Sequence, residues 1–207
     1  MSILAFDTET SGLDSSVHSI LTIYMCVLDD RLNLVDELDL ALKPDSGNLV
    51  YDQEALNVNK INLDEHLVSP NTKTYSEASE LIETFLKKHA NGRSKLSPAG
   101  HNISFDEDMI IGTKLLSKEK YSKYISHRKL DTSPIVNLFK LVGWFPPEIG
   151  KLETLCKHLG VPLSGAHNAK VDTLAFVNCL RKIVLMLKDK KSSVTGLDQD
   201  ILLSLER

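Results

Sequence analysis

Asp7 and Glu9 lie two residues apart in Phe6-Asp7-Thr8-Glu9-Thr10-Ser11-Gly12-Leu13. If this segment is a strand, its side chains alternate and both carboxylates project from one face. Two anions on one face of a buried strand repel each other and call for a counter-charge. A hard divalent cation such as Mg²⁺ or Mn²⁺, which prefers oxygen ligands, supplies it. An Asp-x-Glu pair is also common on exposed strand edges, so two further segments carry weight. Gly100-His101-Asn102-Ile103-Ser104-Phe105-Asp106 puts a carboxylate near the start of a helix, where Asp106 or Ser104 could equally be a simple cap. Gly165-Ala166-His167-Asn168-Ala169-Lys170-Val171-Asp172 places a histidine and an aspartate five residues apart across another helix entry. Gly12 is expected to let the backbone approach a ligand closely.

These residues need elements to position them. Residues 3–6 and Ile20–Leu28 are apolar, partly β-branched runs that predict strands. Asp29-Asp30 predicts a hairpin turn, and Leu34–Lys43 alternates as a third strand, giving an antiparallel meander. Pro44–Asn48 is a loop by composition. Leu81, Ile82, Phe85 and Leu86 repeat at helical spacing behind Ser76, a predicted N-cap. Asn91–Pro98 reads as a polar loop. Helices follow over Phe105–Leu116, Ser133–Val142, Lys151–Leu159 (stopped by Gly160) and Val171–Leu187. The stretch Lys188–Arg207 begins as a charged, serine-containing turn and ends in Ile201, Leu202, Leu203 and Leu205. A short helix packed on the domain is expected there, leaving residues 1–187 as one domain.

Composition excludes other classes. At 207 residues, 42% hydrophobic and 25% charged, the chain suits one soluble domain. No apolar run has membrane-spanning length and no basic leader precedes Ile3, so no membrane partner and a cytoplasmic location are expected. Cys26, Cys156 and Cys179 are scattered without CxxC spacing, which predicts buried reduced thiols. The net charge of −4 argues against wrapping a long duplex through a basic stripe. It is compatible with gripping a few nucleotides at a strand end through bound cations.

In order and context, the three acidic segments resemble the DEDD exonuclease superfamily, in its histidine branch (DEDDh). That branch includes proofreading subunits of bacterial replicative polymerases and oligoribonucleases. Asp7-Thr8-Glu9-Thr10 matches the first motif, His101-Asn102 through Asp106 the second, and His167 with Asp172 the third. Leu130-Asp131-Thr132 before a helix, and Lys151-Leu152 through Leu159-Gly160, are similar too. The resemblance spans roughly residues 3–187. Two departures stand out: the apolar run Ile20–Met25, where an acidic or polar residue is frequent, and Lys170, where a small or apolar one is common.

The resemblance implies an α/β fold of ribonuclease H-like type: a mixed five-stranded sheet, its first three strands antiparallel, flanked by helices. It implies two divalent cations, Mg²⁺ or Mn²⁺. Asp7 would bridge them, Glu9 and Asp172 would complete the first, and Asp106 would hold the second. His167 would be the general base, and nucleoside 5′-monophosphates would leave the 3′ end of single-stranded DNA or RNA. Leu13 would wedge against the terminal base, with Thr8, Thr10, Gly12, His101, Asn102 and Phe105 as further substrate contacts. Trp144-Phe145 is either a stacking platform or a pair anchoring its loop. A polymerase or a replication or repair protein is the implied partner. Two other readings compete. A phosphatase with an Asp-x-Asp nucleophile would need a second aspartate at Glu9 and leaves His167 and Asp172 unexplained. A binding module without catalysis would not need all four carboxylates.

Overall fold

The computed structural model describes residues 2–90 and 94–193. Three long strands open the fold: β1 (Ile3–Thr10), β2 (Ile20–Leu28) and β3 (Leu34–Lys43). They form the expected antiparallel meander. Asp29 organises the hairpin, its Oδ1 accepting from the N–H groups of Arg31 and Asn33, with Leu32 left-handed at φ 64°. β1 continues beyond residue 6 to Thr10, so Asp7 and Glu9 lie inside the strand.

Next come α1 (Gln53–Asn59), α2 (Leu63–Val68), β4 (Thr72–Thr74), α3 (Tyr75–His89), β5 (Ser97–Gly100) and α4 (Ile103–Gly112). The chain then runs through α5 (Lys118–Tyr124), β6 (Leu130–Asp131), α6 (Thr132–Leu141), α7 (Leu152–Leu159) and α8 (Ala169–Ser193). The sheet is mixed as expected, but has six strands rather than five, in the order β4-β3-β2-β1-β5-β6. β4 and β6 span three and two residues, too short for any periodicity to betray. β5, read from sequence as the end of a polar loop, pairs parallel with both β1 and β6. Pro98 near its start is tolerated because little of the ladder precedes it.

Two apolar layers cover the sheet. Leu4, Phe6, Ile23, Met25 and Val27 pack against α3, α4 and α5. Ile3, Ala5, Tyr24, Cys26 and Leu28 face Phe176, Val177 and Leu180 of α8. The other side of α8 packs through Ala175, Cys179 and Ile183 on α6 and α7. All three cysteines are buried and free.

Some local expectations shift. Thr74, not Ser76, caps α3 in a reciprocal capping box with Glu77; the Ser76 hydroxyl instead bonds Asp45. Leu81 lies on the outer face of α3 and is exposed. Gly160 ends α7 at φ 62° as predicted. α8 starts two residues earlier than expected and continues past Leu187 to Ser193. Lys188 and Asp189, read as the start of a turn, instead continue the helix as exposed residues, and lysine is a good helix former. The expected terminal helix around Ile201–Leu205 lies outside the described residues.

Candidate active site

Alternation along β1 sets the site. Ile3 and Ala5 point into the α8-side core, so Asp7 and Glu9, next on that face, point toward the first turn of α8. Leu4 and Phe6 point the other way, as do the buried Thr8 and Thr10. The β1–β5 ladder ends at Ala5↔Ala99, while β1 runs on to Thr10. This leaves a notch where β1 outruns its neighbour, and α4 fills it with Asp106. Asp106 Oδ1 accepts from Thr8 N–H at 2.9 Å and from Thr8 Oγ1 at 2.7 Å. Its carboxylate therefore takes its bonds from the strand rather than capping its helix. The N-cap of α4 is Asn102, left-handed at φ 64° and without a side-chain cap bond. Ser104 is engaged by Lys129.

Asp172 lies in the first turn of α8. Its Oδ2 accepts from the backbone N–H of His167 at 2.9 Å. Its Oδ1 is buried with no hydrogen-bond partner among the described residues. His167 is left-handed at φ 66° and exposed, so the bond to Asp172 fixes its backbone and leaves the imidazole at the surface. One carboxylate oxygen each from Asp7, Glu9 and Asp172 lies within 4.8 Å of the others.

The electrostatics record the crowding. Burial raises Asp7 well above the ordinary aspartate value, and Asp106, Glu9 and Asp172 push it further. Burial, then Asp172 and Asp106, lifts Glu9 to about 8. Burial lifts Asp106 to about 7 against the opposing bonds from Thr8. Asp172 is raised by burial, partly offset by the His167 N–H. Four carboxylates that resist ionisation together, with an orphaned buried oxygen among them, fit a divalent cation.

A cleft of ≈620 Å³ opens beside Glu9, bordered by Thr10, Leu13, Ala55, Val58 and Phe105. Leu13 is 79% exposed, so it belongs to this mouth and not to the core. The α1 wall was missed from sequence; Ala55 and Val58 at helical spacing behind Asp52 were its only signal. Asn59 on α1 donates to Thr10 O at 3.0 Å, tying the wall to β1. A larger hollow of ≈860 Å³ near Ser15, Asp45 and Lys114 contains none of the four carboxylates.

Other expected contacts are spent internally. The Thr8 hydroxyl serves Asp106, and the Thr10 hydroxyl donates to Gly12 O. Gly12 is required by the His18 ring, which stands 2.3 Å from where a Cβ would sit, so the backbone here closely approaches the protein's own histidine. His101 bonds Thr132 through Nδ1 and Gly150 O through Nε2, making it a staple between β5 and the loop before α7. Asn102 is anchored by its N–H to Asp131 with its side chain exposed. Phe145 is core, edge-on to Phe139, so the pair anchors its loop, with Trp144 partly exposed. Lys170 is paired with Glu37.

A family model for exonucleases, RNase T, matches residues 4–180. The chain belongs to this exonuclease family. The DEDD 3′–5′ exonuclease resemblance carried by the three motifs thus holds at the level of family and fold. No curated protein matches the chain by sequence. Among solved structures, this exonuclease chain is similar to Escherichia coli exonuclease I in complex with a dT13 oligonucleotide: TM-score 0.68 and 17% identity over 98% of this chain and 45% of that one. A zinc-bound complex of the E. coli enzyme with single-stranded DNA gives 0.70 and 15%, over 98% and 43%. Exonuclease I from Methylocaldum szegediense gives 0.67 and 18%, over 88% and 40%. The chain therefore spans less than half the length of these relatives, and the likeness is one of fold. No helix among the described residues is long and apolar enough to cross a membrane.

Proposed function

We propose that the chain is a cation-dependent 3′–5′ exonuclease domain that removes nucleoside 5′-monophosphates from the 3′ end of single-stranded DNA or RNA. The observation that carries this reading is the Asp7, Glu9 and Asp172 cluster, with its orphaned Asp172 oxygen, at the edge of an apolar-walled cleft. Asp7, Glu9 and Asp172 would hold one cation, and Asp7 with Asp106 a second. When bound, such cations polarise the scissile phosphate and neutralise the charge that develops as water displaces the 3′ oxygen.

The residues around them have separate tasks. Thr8 fixes Asp106 through two bonds to one oxygen, leaving the other free to act. His167, exposed at the entry to α8, accepts the proton of the attacking water as general base. Leu13 and Phe105, both on the cleft wall, offer apolar contact to the last base of a single strand. Escherichia coli exonuclease I solved with dT13 and with single-stranded DNA supports a single-stranded DNA substrate. A complex described as ExoI/SSB-Ct supports a protein partner, and a polymerase or a replication or repair protein is the partner we propose. A cytoplasmic location and a domain ending near residue 187 belong to the same reading, although α8 crosses that boundary.

The test is digestion of matched 5′-labelled single-stranded DNA, RNA, duplex and dinucleotide with Mg²⁺ or Mn²⁺. Progressive shortening from the 3′ end that chelation stops is expected. Internal cleavage, or no turnover on any substrate with metal present, would sink the assignment.

A further inference from the structure

The first turn of α8 carries Asp172, yet its hydrogen bonds are nearly all local. Asn168 caps it through Oδ1 to Val171 N–H and through its carbonyl to Asp172 N–H, and Thr173 bonds back to Ala169 O. Among the described residues, one polar contact ties residues 169–172 to the sheet: Lys170 Nζ lies 3.0 Å from Glu37 Oε1 on β3. The other Glu37 oxygen accepts from the Tyr24 hydroxyl. The ammonium also stands 5.2 Å from the centre of the Tyr24 ring. Tyr24 is fully buried and is the cross-strand partner of Asp7. A chain of hydroxyl, carboxylate and ammonium thus begins beside Asp7 and ends two residues before Asp172. It also accounts for the lysine at 170, which departs from the small or apolar residue that is common there in the resembled family.

We infer that Tyr24, Glu37 and Lys170 form a strut that orients the first turn of α8 on the sheet and so sets Asp172 against Asp7 and Glu9. Lys170 is a positioning residue here: Glu37 engages its ammonium, and it acts through the carboxylate two residues on. The inference rests on the nuclease reading above. Half-exposed ion pairs add little to fold stability, so losing the strut is felt at the site first. Groups outside a ligand shell shift metal affinity or activity by about 10- to 100-fold.

Lys170→Met keeps the apolar stem over Tyr24 and removes the charge, while Glu37→Gln keeps the shape and removes the acceptor charge. For each, Mn²⁺ affinity of the protein is read by electron paramagnetic resonance, alongside kcat, KM for a labelled oligonucleotide and the melting temperature. Each variant is expected to weaken Mn²⁺ binding about tenfold and lower kcat, with KM and melting temperature little changed. The double variant should be no worse than either single, and Lys170→Arg should recover most of the loss. Unchanged Mn²⁺ affinity with a raised KM would overturn the inference, since Lys170 would then meet the strand itself. Strictly additive losses, or losses that track a collapse in melting temperature, would overturn it as well. If the unsubstituted protein binds Mn²⁺ and degrades strands while the variants match it, only the strut is lost. If it does neither, the nuclease reading fails, and the strut with it.

Discussion

Asp106 and Asp172 look alike in the sequence, each an aspartate near the start of a helix, but the fold treats them oppositely. Asp106 is locked in the notch beyond β5, with two Thr8 donors on a single oxygen. Asp172 has one backbone donor on Oδ2 and a bare, buried Oδ1. Buried acceptors are normally satisfied, and leaving one unpaired costs about 1–3 kcal/mol. A bare oxygen facing Asp7 and Glu9 is the feature that the proposed cation would satisfy. The site thus has a hydrogen-bonded side, built by β1 and α4, and an unsatisfied side, built by α8.

The largest effect is expected from removing Asp7, which both sides share. Asp7→Ala should abolish nuclease activity, measured on single-stranded oligonucleotide with saturating Mg²⁺. The metal-free protein should stay folded and melt no lower, because a repelling carboxylate is gone. Retained activity would remove Asp7 from the machinery. On the α8 side, His167→Asn should cut kcat about 10²- to 10⁴-fold with Mn²⁺ affinity almost unchanged. Asparagine tolerates the left-handed backbone at this position, and the N–H to Asp172 is backbone. A lost metal affinity would make His167 a ligand instead.

On the hydrogen-bonded side, Thr8→Val removes one of the two donors to Asp106. It should cost about 1–3 kcal/mol in chemical denaturation. It should also push Asp106 further above about 7, moving the rising limb of the pH–rate profile upward. An unmoved profile would mean Asp106 does not need to ionise.

The smallest effect lies in pH-dependent stability. Glu9 titrates near 8 in the folded chain against an ordinary 4.5, so the folded state holds more protons across that window. Stability of the metal-free protein should therefore be greatest below about pH 4.5 as far as this group is concerned, and fall as pH rises toward 8. Added Mg²⁺ should flatten the fall, because it favours the ionised forms. Melting curves from pH 5 to 8 with and without metal check this; a metal-free protein that gains stability over that range would contradict the raised carboxylate.

Sequence reading recovered the meander, the main helices and the carboxylates, and it missed β4, β5, β6, α1, α2 and α5. The missed pieces are short: two to seven residues hold too few repeats for a 2.0 or 3.6 period to stand out. β5, Ser-Pro-Ala-Gly, even contradicts strand propensity, and only pairing with β1 and β6 on its two sides makes it one. The internal neighbours of Gly12 and His101 were hidden from the sequence for a related reason. Nothing near either position announces His18 or Gly150 as its neighbour.

What the sequence determined by itself was local: Asp7 and Glu9 on one strand face, Gly160 as the stop of α7, and three ordered motifs that signal an exonuclease. Backbone stereochemistry imposes alternation and capping within a few residues, so these follow before any packing is known. The tertiary structure alone decided that Thr8 holds Asp106 from 98 residues away. It likewise brought Glu37 to Lys170 across 133 residues and left one oxygen of Asp172 bare. Such partners are chosen by how layers pack across the sheet, which no stretch of sequence encodes on its own.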